Sequence, residues 1–110
     1  MKLPNPEQAI IPPQKLVGYC LNPEHSEGQH KALVFQSALG IGIDEAEELR
    51  AYLLYAIQTF DAVPTQRNQY GQKYMVDFTM NRLDKQAVVR SVWIVRDDEG
   101  FPRLVTCYVL

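Results

Sequence analysis

Cysteine, histidine and long apolar runs are all scarce in this sequence, and each shortage excludes something. Cys20 and Cys107 are the only cysteines, far apart and in no CxxC pair. Neither a disulfide framework nor a zinc knuckle is therefore expected, and a reducing cytoplasm fits best. No apolar run approaches the ~20 residues that a membrane-spanning helix needs, so no membrane association is expected. The opening Met1-Lys2-Leu3-Pro4-Asn5-Pro6 lacks the basic-then-apolar order of a secretory signal. GxGxxG, GxxxxGK and GxSxG patterns are absent, which removes support for nucleotide-binding and serine-hydrolase chemistry and implies no cofactor. His25 and His30, even with Glu24 and Glu27, lack HExxH spacing and a third ligand, so no metal site is expected.

What remains is an ordinary globular composition. The chain has 110 residues, 46% hydrophobic, enough for one core and one domain over 1–110. Its net charge of −2 and pI of about 5.6 are not the footprint of a protein that coats nucleic acid. The charge is unevenly spread, however. Asp44, Glu45, Glu47 and Glu48 cluster mid-chain, while Arg82, Lys85, Arg90, Arg96 and Arg103 fall in the last third.

Four prolines make residues 1–13 an expected extended arm. A short helix over Gln14 to Leu21 follows, with Leu16, Val17, Cys20 and Leu21 on one stripe and Asn22-Pro23 as its stop. Ala32, Leu33, Phe35, Ala38 and Leu39 give a second helix from about Gln29 to Leu39, ended by Gly40. Asp44 and Glu47 resemble a capping box before a third helix running to Phe60, and capping with a solvated face accounts for the acidic cluster. The period then changes from helical to alternating. Residues 72–80, 86–96 and 103–110 are expected strands, with a further short one around Ala62-Val63. Helices followed by an antiparallel meander make an α+β domain, with the N-terminal helices packed on one face of a three- to four-stranded antiparallel sheet.

Pairing Val92 with Cys107 and Ile94 with Val105 would put Val88, Val92, Ile94, Val105, Cys107 and Val109 under the helices. The same register places Ser91, Trp93, Thr106 and Tyr108 on the opposite face, and leaves Arg90 awkwardly among the apolar residues. A polar outer face is also what any one-sided sheet displays.

His25 and His30 sit five residues apart, with Gly28 between them and Lys31 adjacent. Imidazole exchanges protons near neutrality, an ammonium offsets charge developing on a phosphate, and a helix N-terminus attracts anions. Such a cluster suits RNA cleavage without metal: one group takes the 2′-hydroxyl proton, another protonates the leaving 5′ oxygen, and cations stabilise the phosphorane. Solvated histidines near a helix start are the plainer reading of the same residues. Cys20 and Cys107 fall on apolar faces as core residues.

The run from Tyr19 to Ala32, closed by Phe35, resembles the N-terminal signature of a bacterial domain-of-unknown-function family. Val89-Arg90-Ser91-Val92-Trp93-Ile94-Val95 and the stretch from Pro102 to Tyr108 resemble its later motifs. Members look like small stand-alone proteins or C-terminal tips of polymorphic toxins. By motif order the family is similar to the barnase, EndoU, colicin and RelE-like ribonuclease superfamily. That resemblance implies a small toxin, RNA as substrate and a cognate antitoxin as partner. It puts His25 and Lys31 on the helix side of a site, and Arg90, Ser91, Thr106 and Tyr108 on its strand side. His25, Lys31, Thr106 and Tyr108 are then the expected catalytic set, with Ser91, Arg90, Trp93 and His30 binding substrate. The alternative from another class is a non-enzymatic interaction module, an antitoxin or immunity-type protein, anchored through a Trp93/Tyr108 face.

Overall fold

The computed structural model describes all residues 1–110. Pro13 opens the first helical turn, α1 (Pro13–Lys15), which widens into a π-helical turn over Leu16–Cys20. Two longer helices follow, α2 (Gln29–Leu39) and α3 (Ala46–Thr59). Gly40 ends α2 at a φ of 66°, the left-handed conformation that glycine adopts without strain. The capping bond ahead of α3 lies earlier than Asp44 and Glu47 suggest. Glu45 reaches back to accept the Gly42 N–H at 2.7 Å, at the start of a 3₁₀ turn (Ile43–Glu45). No helix is long and apolar enough to cross a membrane.

Four antiparallel strands complete the α+β fold in the order of the sequence: β1 (Val63–Arg67), β2 (Gly71–Arg82), β3 (Lys85–Arg96) and β4 (Pro102–Val109). Alternation sends Val76, Phe78 and Met80 of β2, Val89 and Trp93 of β3, and Leu104 and Cys107 of β4 into one core. Phe35 and Leu39 of α2 and Leu49, Leu53 and Ile57 of α3 bury themselves in that same cluster. The N-terminal arm is part of this core. Leu3 and Ile11 are buried, and Ile10 bridges to Arg103 in parallel.

The β3–β4 register differs by one residue from that expected. Ser91 stands opposite Cys107, Val92 opposite Thr106 and Arg90 opposite Tyr108. A bulge then lets Trp93 pair with Leu104, so Val105 is the extra residue. Hydrophobicity could not choose between the faces, because β3 carries valine or isoleucine on both. Burial of the indole, the largest apolar group in the chain, decides the matter. Trp93 is fully buried, and its Nε1–H donates to Ser91 Oγ at 2.9 Å. Ser91 in turn donates to the Val76 carbonyl at 2.7 Å. Ser91→Ala leaves the indole N–H without a partner in the core, so it is expected to cost about 1–3 kcal/mol in urea unfolding.

Each edge of the sheet is protected in its own way. Pro64 and a bulge interrupt β1. Along β4, the Ile10 carbonyl accepts the Leu104 N–H at 3.0 Å and Cys20 Sγ accepts the Cys107 N–H at 3.4 Å. The second contact draws the π-helical turn against β4, and the candidate site lies at that seam.

Candidate functional site

Two adjoining hollows open where the π-helical turn and the start of α2 meet β4. The first, about 610 Å³, is lined by Lys15, Tyr19, His25 and Thr106, with Glu27 at its rim. The second, about 450 Å³, is lined by His30, Lys31 and Tyr108. Lys31 Nζ donates to Tyr19 Oη at 2.8 Å and thereby links the two. It also lies 5.7 Å from the centre of the Tyr108 ring. The hydrogen bond to Tyr19 raises the Lys31 pKa against the opposing effect of burial, so the side chain stays an ammonium.

Gly28 makes this seam possible. A β-carbon there would stand 2.9 Å from the Tyr19 carbonyl carbon and nearer still to its oxygen, so only glycine lets the loop pass the π-helical turn. His25 fixes the same loop. Its Nδ1 accepts the backbone N–H groups of Glu27 and Gly28, each at 3.0 Å, as an aspartate or serine cap would. Its carbonyl accepts the Gln29 N–H at 2.9 Å. These N–H groups ahead of α2 are therefore occupied within the loop. With the Nδ1 lone pair engaged, the ring proton sits on Nε2, and the ring packs edge-on against Tyr19 at 4.9 Å. His25 can donate from Nε2. Accepting a proton would break two backbone bonds.

A family model for a domain of unknown function matches residues 2–110. The chain belongs to the DUF6883 family. No curated protein and no solved structure matches it.

Of the residues picked out in this DUF6883 chain from sequence, the fold gathers His25 and Thr106 in one hollow and His30, Lys31 and Tyr108 in the other. Ser91 and Trp93 lie on the opposite, core-facing side of the sheet with no exposed surface, and neither reaches either hollow. An outward Trp93/Tyr108 patch is accordingly absent. Arg90 shares the outer sheet face with Tyr108, directly opposite it. Its guanidinium is committed to Asp77, with two bonds of 2.9 Å, and that pairing raises its pKa further, with Tyr108 adding to the effect. Arg67, Arg82 and Arg103 are likewise paired, with Asp97, Glu48 and Glu99. Lys15 and Lys31 are not: no carboxylate stands within 4.0 Å of either. Arg50, Lys73, Lys85 and Arg96 also lack such a partner, but of the unpaired cations it is Lys15 and Lys31 that line the hollows.

Tyr19 is the site residue that sequence reading assigned no role. Twelve positions and a loop separate it from Lys31, so no periodicity connects them. Cys20, buried beside it, accepts from Cys107 and stands 3.6 Å from Thr106 Oγ1. The neighbouring Cys107 thiol, the Cys107 N–H and the Thr106 hydroxyl together outweigh burial and bring Cys20 down to about 6. Cys107, next to that sulfur and buried, is pushed up. Thiolate absorbance at 240 nm is therefore expected to rise near pH 6 in the folded protein but not in Cys20→Ser. A third hollow, lined by Leu21, Leu33 and Ile43, carries Asp44 and Glu45 and no cation, which disfavours a phosphate there. No three of the His, Cys, Asp and Glu side chains come together as a metal-ligand set.

Proposed function

We propose that this chain is a small toxin that cleaves RNA without a metal at the seam between the π-helical turn and β4. The observation that carries the reading is the convergence of Lys31, unopposed by any carboxylate, with the Nε2–H of His25 and the hydroxyls of Tyr19, Thr106 and Tyr108. Every one of these groups can donate to phosphate oxygens, and the ammonium opposes the charge that builds on a phosphorane. In this role His25 orients a phosphate oxygen. Lys31 stabilises the transition state, Thr106 and Tyr108 hold phosphate or ribose, and His30 contacts the flanking backbone. The family resemblance adds the barnase, EndoU, colicin and RelE-like relationship, RNA as substrate, a cytoplasmic setting and a cognate antitoxin that covers the hollows. An interaction module anchored on Trp93 is the weaker reading, because that indole is fully buried.

Cleavage of an oligoribonucleotide in chelator by the wild type and by His25→Asn is the direct test. The amide side chain of this variant retains an oxygen to accept the Glu27 and Gly28 N–H groups, so the loop is kept while the Nε2 donor is lost. The expected result is an unchanged melting temperature and activity reduced by about 10²–10³-fold. Equal activity in both proteins removes His25 from the site, and absence of cleavage by the wild type defeats the reading. Induction of the wild type alone is expected to arrest growth, with rescue by the partner.

A further inference from the structure

We propose that Tyr19 is a further catalytic residue of this site: the general acid that protonates the leaving 5′ oxygen. The inference rests on the ribonuclease reading and concerns the same hollow. Tyr19 ends on the hollow's wall beside His25 and Thr106. Its ring is held by the edge of His25 at 4.9 Å and by Lys31 Nζ, 4.9 Å from the ring centre. Its oxygen accepts from Lys31, and no hydrogen bond within the protein takes its own O–H proton, which is free for a ligand.

Three groups around Tyr19 are poorer acids for this step. A neutral His25 ring that gives up its Nε2 proton becomes an imidazolate, and its Nδ1 is occupied by the backbone N–H groups of Glu27 and Gly28. Lys31 is held protonated by Tyr19 itself. Thr106 is an aliphatic alcohol set against the Cys20 sulfur. Only Tyr19 combines a free phenolic proton with a cation 2.8 Å from the oxygen on which charge remains.

The step balances without a co-reactant. The O2′–P bond forms as the P–O5′ bond breaks, and the 2′-hydroxyl proton passes to water. The electron pair leaving with O5′ takes the Tyr19 proton. The phenolate beside Lys31 then recovers a proton from water. The products are a 2′,3′-cyclic phosphate and a 5′-hydroxyl.

Tyr19→Phe keeps the ring and removes only the hydroxyl. The test compares two substrates in the same variant: an oligoribonucleotide and uridine 3′-(4-nitrophenyl phosphate), whose leaving phenolate needs no proton. Against wild type, kcat on RNA is expected to fall by about 10²–10⁴-fold, while the rate on the aryl ester stays unchanged. The ratio of the two rates is insensitive to partial unfolding, which slows both equally. Equal slowing of both substrates, or retention of the RNA rate, overturns the assignment of Tyr19 while leaving the site intact. If wild type cleaves neither substrate, the ribonuclease reading falls and takes this one with it.

Discussion

Trp93→Ala is expected to destabilise the protein by about 3–5 kcal/mol, close to the whole stability of a small domain. The indole is fully buried among Val76, Val89, Leu104 and Cys107, so truncation removes apolar contact and opens a cavity that neighbouring strands cannot close. It also strips Ser91 Oγ of the donor that it accepts from. A strand residue pointing outward behaves otherwise. Val88, two-fifths exposed on the other face of β3, is expected to tolerate alanine within about 0.5 kcal/mol. Urea unfolding followed by circular dichroism distinguishes the two registers of β3 on β4. A near-neutral Trp93→Ala together with a costly Val88→Ala would reinstate the register in which the indole faces solvent. Because Trp93 is the only tryptophan, blue-shifted native fluorescence is the companion observation.

The second large effect concerns charge. Lys31→Gln preserves length and hydrogen-bonding capacity but removes the ammonium that joins the two hollows. Cleavage of RNA is expected to fall by about 10²–10³-fold, the range for loss of a single transition-state donor. The salt dependence of RNA binding is expected to become shallower by about one unit of slope, since one fewer counterion is released. Arg90→Gln provides the contrast. Asp77 already neutralises Arg90, so its replacement is expected to leave the salt slope almost unchanged. Equal slopes for wild type and Lys31→Gln would show that phosphate does not meet Lys31.

Local patterns in the sequence carried most of the elements. Asn22-Pro23 and Gly40 bracket α2, the apolar spacing from Ala46 to Ile57 marks α3, and alternation marks β2. Register was harder to read, for a physical reason. The bulge at Val105 adds a residue that no turn signal announces, and β3 is apolar on both faces. One residue of slip exchanged the roles of Ser91 and Arg90: the serine went into the core and the arginine joined Tyr108 on the outer face. Similarly, the arm of residues 1–13 reads as an appendage from its prolines, yet Leu3 and Ile11 complete the core. The capping work of His25 is invisible in sequence, because imidazole seldom serves as a helix cap. The link between Tyr19 and Lys31 depends on Gly28 permitting a close crossing, which is a property of the folded chain.

Mass analysis of the products formed from a short RNA in chelator shows whether Lys31 and its neighbours cleave RNA through the 2′-hydroxyl. The expected result is fragments ending in a 2′,3′-cyclic phosphate, formed by wild type, strongly reduced by Lys31→Gln and abolished by a single 2′-deoxy substitution at the scissile nucleotide. Intact RNA with wild type, or cleavage that proceeds equally well without Lys31 or the 2′-hydroxyl, would contradict it.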